Sequence, residues 1–359
     1  AAALPGLATA RQKNEGQPAK ARGRYRRIAT EEAFATQPQL EGYRDIGKYL
    51  TQGADFNFTQ ILLGDSEYAK RQTPRLLDIG EGRIAQMDAD GVDMQVLSLT
   101  SPGVQVFRPD TAIAIARESN DILAEAIRRY PTRFAGLAAI APQDPKHSVV
   151  EMERAINQLG LNGFIVNSHT NGEYLDEEKF WPILEAAEAL DAPIYIHPRA
   201  PSDGMAAPFR DYRMEAAVWG YGCEVGTHVV RLMLSGALDR FPKLKIVIGH
   251  MGEAIPFWLW RLDFMGAPGE RRPNQLKPSE YFRRNFAITT SGVEDPLALR
   301  YCIDRIGVDS VMWAIDYPYQ PTAPAVKFIE TAPLSDEERE KIAHGNAERI
   351  FRIRVARES

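Results

Sequence analysis

Eight short apolar runs recur along the 359-residue chain, at residues 27–31, 94–99, 134–141, 163–167, 194–197, 246–250, 286–290 and 311–316. Amphipathic, helix-spaced segments lie between them, at 110–130, 148–159, 177–190, 224–241, 255–265, 296–306 and 335–352. A few consecutive β-prone residues bounded by charged helical segments predict a strand covered on both faces, as in a parallel sheet. Eight such alternations predict one α/β domain, a (β/α)8 TIM barrel, because closing the sheet leaves no edge to protect. The segments 35–76 and 199–222 read as long loops after the first and fifth strands, at the barrel mouth where such folds shape substrate pockets.

Four of the runs end on an ionisable side chain: RIATE at Glu31, IYIH at His197, KIVIGH at His250 and VMWAID at Asp316. Strand ends of a parallel barrel share one mouth, so the four groups converge. Each alone is an ordinary turn or core residue. Together they are costly to bury unless they coordinate a metal or one another. Glu31, His197 and Asp316 offer two carboxylate oxygens and one imidazole nitrogen, a donor set for a hard or borderline divalent cation with positions left open. Glu253 follows His250 by three residues, and the pair reads as a proton-handling dyad as readily as a metal ligand; the dyad is favoured.

Composition narrows the partners. The chain is 44% hydrophobic and 25% charged with a net charge of -5, which carries no cationic surplus for nucleic acid. Cys223 and Cys302 lack metal or disulfide spacing and read as two buried thiols. No apolar run approaches the roughly 18 residues of a membrane span. Residues 1–10 (AAALPGLATA) are small and apolar and precede a polar stretch. Residues 1–24 therefore read as a flexible leader, either the remnant of an export signal or plain disorder, ahead of a barrel over 25–355.

The runs RIATEEAFAT (27–36), LTSPGVQ (99–105), APQDP (141–145), NSHTNGEYLDEE (167–178), IYIHP (194–198), GHMGEAIPFWLWRLDFM (249–265), SGV (291–293) and AIDYPYQ (314–320) cover the whole barrel. Together they resemble the metal-dependent aromatic acid decarboxylases of the amidohydrolase superfamily. Many superfamily members carry two histidines on the first strand, whereas this strand reads Glu31, Glu32, Ala33, which implies a mononuclear centre.

The resemblance implies Glu31, His197 and Asp316 as ligands of one Mn2+, with Zn2+ and Mg2+ the family's other metals, and no organic cofactor. It implies non-oxidative decarboxylation of an ortho-hydroxybenzoate such as 5-carboxyvanillate, with Asp316 protonating the ring carbon before CO2 leaves and His250 and Glu253 assisting. Arg261 is expected on a substrate carboxylate, a solvated helix arginine being the other reading, and Arg231 at a neighbouring subunit's pocket. Tyr68, Lys70 and Arg71 are substrate-contact candidates in a segment, 50–74, that departs from the family pattern. His169 reads as a hydrogen-bonded turn residue. The expected partners are a small aromatic acid and a second copy, as a homodimer or dimer of dimers. The expected location is cytoplasmic, or periplasmic if the leader is an export signal. The alternative activity is a mononuclear hydrolase or hydratase of the same superfamily, with Asp316 as base.

Overall fold

The computed structural model of the protein describes residues 25–48, 53–270 and 272–353; the proposed leader lies outside them. Eight strands run in the order of the chain: β1 (Ile28–Phe34), β2 (Met94–Leu99), β3 (Phe134–Ala139), β4 (Gly163–Asn167), β5 (Ile194–His197), β6 (Ile246–Ile248), β7 (Phe286–Thr289) and β8 (Val311–Met312). Each pairs in parallel with the next, and the expected (β/α)8 barrel is what forms. Burial explains the composition of the runs. Residues such as Val96, Phe164, Ile194 and Val247 are fully enclosed by barrel interior on one side and helices on the other, so apolar side chains serve both faces.

Two strands are shorter than their apolar runs. β6 stops at Ile248 and β8 at Met312, so His250 and Asp316 lie beyond the ladder rather than on it. The β8 run leaves the sheet because the Trp313 amide donates to the Ile342 carbonyl of the closing helix (2.8 Å) and the Ala314 amide to Thr290 Oγ1 (3.1 Å). β1 carries a register shift between Ala29 and Glu32. A bulge of this kind re-aims side chains locally.

The segment after β1 is not loop. It folds into helices Gln37–Ile46, Ala54–Leu63 and Glu67–Leu77, and a further helix, Glu81–Asp90, leads into β2. Thr36 and Ser66 cap the first and third, each hydroxyl accepting the amide of the residue three further on. The segment after β5 holds only short turns, Asp203–Ala206 and two single 3-10 turns. Arg199 and Asp55 form a buried ion pair that joins the two insertions across the mouth. Among the described residues no helix is long and apolar enough to cross a membrane.

Candidate metal centre

Glu31 projects from β1 into the barrel mouth, where His197 ends β5 and Asp316 follows β8. One ligand atom from each lies within 4.8 Å of the others. The two oxygens of Glu31 have different surroundings. Oε2 accepts from Thr289 Oγ1 (2.7 Å) and from the Ser291 hydroxyl, both at the end of β7. Oε1 is buried and has no hydrogen-bond partner, and His197 Nε2 is 3.5 Å away. A bare buried carboxylate oxygen is costly. His197 donates from Nδ1 to the Pro198 carbonyl (2.8 Å), which leaves the lone pair on Nε2 facing the same point. An orphaned oxygen, a free imidazole nitrogen and Asp316 fit one divalent cation.

The glycine before His250 belongs to this geometry. A Cβ at Gly249 would stand 2.6 and 2.7 Å from the two Glu31 oxygens, so only glycine lets β6 pass this close to the carboxylate. Beyond it the chain makes a left-handed turn: His250, Met251, Gly252, Glu253 and Ala254 all have φ between 49 and 76°. Such residues other than glycine cost about 1–2 kcal/mol each. The turn brings His250 Nδ1 to 2.9 Å from Glu253 Oε1 and leaves Nε2 3.9 Å from Asp316 Oδ2 and 3.8 Å from Glu31 Oε1. His250 and Glu253 thus meet within this turn.

Electrostatics separate the groups. Burial works against the Glu31 anion, but His250, His197 and the Ser291 hydroxyl outweigh it and hold its carboxyl below the ordinary value. Burial, joined by repulsion from Glu31, raises Asp316 despite the nearby His250. Burial opposes a charged His250, yet Glu31, Glu253 and Asp316 raise its proton affinity well above the usual imidazole range. Burial and mutual charge thus push two neighbouring carboxyls in opposite directions.

His250, Glu253 and Asp316 line a cavity of about 770 Å3 with Trp219, Tyr221 and Arg231 among its walls. Arg231 is engaged within its own chain, 2.8 Å from Asp176 Oδ1, with its cation over the Tyr174 ring. Arg261 is exposed on the helix Ile255–Met265 and does not border this cavity. Tyr68 is half-buried and feels the Asp316 charge, while Arg71, stacked against Tyr68, is exposed, as is Lys70, paired with Glu67. Sequence reasoning missed Thr289 and Ser291. Their signal was available, since two hydroxyls spaced by two at a strand end face the same side.

The two remaining buried histidines are structural. His169 accepts the Gly172 amide at Nδ1 (3.2 Å) and donates from Nε2 to the Ala200 carbonyl (3.1 Å). His228 accepts the Leu175 amide at Nε2 (3.1 Å) and faces Ser168 Oγ (3.3 Å), whose hydroxyl donates to Glu224. Both rings are thereby held neutral. Burial lowers His169 to about 2 and His228 to about 3, aided by Arg199 and Arg231 respectively.

The unfolded chain takes up these protons near pH 6.5 and the folded chain refuses them, so stability falls as pH drops below 6.5. Each histidine contributes a loss of about 2 kcal/mol between pH 6.5 and 5. In urea titrations at pH 7 and 5, a His228→Gln variant is expected to lose about that much less between the two pH values than the unaltered protein. An identical loss in both would refute the assignment.

Comparison with known proteins places this site in a family. A family model described as amidohydrolase matches residues 54–353. A gamma-resorcylate decarboxylase of Polaromonas sp. is 35% identical over 338 residues, which span 91% of this chain and 98% of that protein. The crystal structure of 5-carboxyvanillate decarboxylase from Sphingomonas paucimobilis matches with a TM-score of 0.88 at 53% identity, covering 92% of this chain and 100% of that one. The 5-carboxyvanillate decarboxylase of Novosphingobium aromaticivorans, solved with manganese and 4-hydroxy-3-methoxy-5-nitrobenzoic acid, matches with a TM-score of 0.88 at 41% identity, covering 92% and 96%. The chain belongs to the amidohydrolase family, in its branch of metal-dependent aromatic acid decarboxylases, which are carboxy-lyases.

Proposed function

We propose that the protein decarboxylates an ortho-hydroxybenzoate with a 5-carboxyvanillate-like ring, using one Mn2+ held by Glu31, His197 and Asp316. The observation that carries this reading is the orphaned Glu31 Oε1 facing His197 Nε2, with Asp316 and its His250 neighbour beside them. The ring pattern is supported by the 53% identity to a 5-carboxyvanillate decarboxylase, and the metal by relatives solved with manganese. When bound, the ion supplies a Lewis-acid charge that draws the phenolic and carboxylate oxygens of the substrate to the barrel mouth.

The chain's own groups then move the proton. Asp316, its carboxyl raised, takes the phenolic proton as the substrate settles and delivers it to the ring carbon that bears the carboxylate. A C–H bond forms there, the carbon becomes tetrahedral, and the C–C bond breaks to release CO2 as its electron pair restores the ring. His250, its proton affinity raised by Glu31, Glu253 and Asp316, faces the charge that develops on the substrate oxygens. Trp219, Trp258 and Leu262 supply an apolar wall for the ring.

The test is CO2 release by Mn-loaded protein from ortho-hydroxybenzoates headed by 5-carboxyvanillate and including 2,6-dihydroxybenzoate. Release is expected from 5-carboxyvanillate, lost after chelation and restored by Mn2+. No release from any acid, with one Mn2+ bound per chain, would sink the reading and favour the hydrolase.

Phe257, Trp260, Arg261 and Phe264 follow the i, i+3, i+4, i+7 spacing of a single helix stripe, and the three aromatics are 70, 65 and 68% exposed. A stripe of this kind marks a protein contact. Its occupant is proposed to be a second copy of the chain. With a second copy present, Arg231 is proposed to approach that copy's pocket, since its pair with Asp176 leaves the side chain 41% exposed. Sedimentation of the active enzyme as a single chain would refute this.

A further inference from the structure

The ladder runs in order from β1 to β8, and the seam between β8 and β1 is closed differently. Thr30 Oγ1 donates to the Trp313 carbonyl (2.8 Å) and the Ala33 amide to the Tyr317 carbonyl (2.7 Å). Between these two bonds stands Glu32, fully buried, next to the ligand Glu31 but turned towards β8 past the bulge of β1. Its Oε1 accepts the Ile315 amide and its Oε2 the Tyr317 amide, each at 3.0 Å. Asp316 is the residue between those two amides, with φ at 72°.

One carboxylate therefore holds the amides of the residues on both sides of Asp316. A residue in the left-handed region relaxes to an ordinary conformation unless its surroundings hold it there. With both flanking amides fixed, its side chain has few directions to take, and the one it takes meets Glu31 and His197. Arg83, 1% exposed, closes the other side: Nη2 donates to the Ala33 carbonyl (2.5 Å) and the guanidinium lies 4.8 Å over the Tyr317 ring.

We propose that Glu32, with Arg83 behind it, is a positioning residue for Asp316, clamping the turn that presents this carboxylate to the metal and to the substrate. Only a carboxylate suits the clamp. Glutamine offers one acceptor, and its NH2 would face the second amide N–H, a donor against a donor. Aspartate is one methylene too short to span both.

The test is Mn2+ binding to metal-stripped protein, read by loss of the free-ion EPR signal, with steady-state kinetics alongside. Folded Glu32→Gln is expected to bind Mn2+ about 10–100-fold more weakly, the usual cost of losing a group that orients a ligand. At saturating Mn2+ its kcat falls on the order of 10-fold or more while KM stays within about threefold, because Asp316 and not the substrate pocket is disturbed.

Asn346→Ala is the control for general loosening, since Asn346 Nδ2 donates to the Val308 and Val311 carbonyls at the far end of β8, 2.8 Å each. It is expected to lower thermal stability and leave Mn2+ affinity alone. Unchanged Mn2+ affinity in folded Glu32→Gln, or an equal loss in Asn346→Ala, would overturn the proposal. Where Glu32→Gln does not fold, Arg83→Lys decides: Mn2+ affinity at least about threefold weaker supports the clamp, and wild-type affinity refutes it. The proposal rests on the decarboxylase reading for its kinetic arm alone. If the unaltered protein released no CO2, that reading would fail while the Mn2+ titration still judged the clamp.

Discussion

Asp316→Asn is expected to lower kcat on the order of 10³–10⁴-fold while leaving the barrel folded. Asp316 is proposed to carry two tasks on one side chain. As a ligand it would bring a negative oxygen to the Glu31 and His197 cluster. As an acid it holds a proton more firmly than an exposed aspartate, because burial and the Glu31 charge both disfavour its anion. The amide keeps the size and the backbone clamp but cannot carry a proton in the working range. Loss of a general acid alone costs about 10²–10⁴ in rate, and loss of ligand charge adds to it. The measurement is CO2 release at saturating Mn2+ with substrate binding followed in parallel. Binding retained with turnover lost supports the assignment; turnover within about tenfold of the unaltered protein would remove Asp316 from the proton path.

Gly249→Ala is expected to cost on the order of 100-fold in turnover although it deletes nothing. The added methyl would overlap both oxygens of Glu31, at 2.6 and 2.7 Å. Glu31 has little freedom to yield, since Thr289 and Ser291 hold Oε2 from β7 and Tyr195 in turn contacts Thr289 (3.1 Å). Either the carboxylate swings off its hydroxyls or the end of β6 withdraws with His250. Misplacing a reacting or coordinating group by about 1 Å costs on the order of 100-fold. Metal analysis after dialysis against micromolar Mn2+ checks this, with far less than one ion per chain expected. Full occupancy with normal turnover would show that Glu31 is not the ligand.

The acid cluster and the hydroxyls around it differ in how far they could be read beforehand. Strand runs are local patterns of apolar residues, so 94–99, 163–167 and 194–197 coincide with β2, β4 and β5, and His197 at the end of the last could be named as chemistry. The run to Asp316 was equally visible, but its last residues belong to a turn. Its amides bond outside the sheet, to Ile342, Thr290 and Glu32. The helices within 35–76 escaped the reading because their apolar contacts lie on the barrel mouth and not in their own periodicity alone; Gln72, for instance, donates to the Pro318 carbonyl. Arg231 and Arg261 were both visible as cations near the site, but only the folded chain shows that Asp176 pairs with Arg231 while Arg261 lies exposed on the aromatic stripe.

The amino-acid order alone determined the eightfold alternation and the identities of Glu31, His197, His250 and Asp316, because periodicity and strand-end position are properties of neighbouring residues. Only the tertiary structure decided which oxygen of Glu31 stays bare, how His250 and Glu253 meet in a left-handed turn, and what holds Asp316 in place. The hydroxyls of β7 lie 258 and 260 residues from Glu31, and the amides clamped by Glu32 lie 283 and 285 residues away, so no local pattern could encode those contacts until the barrel closed.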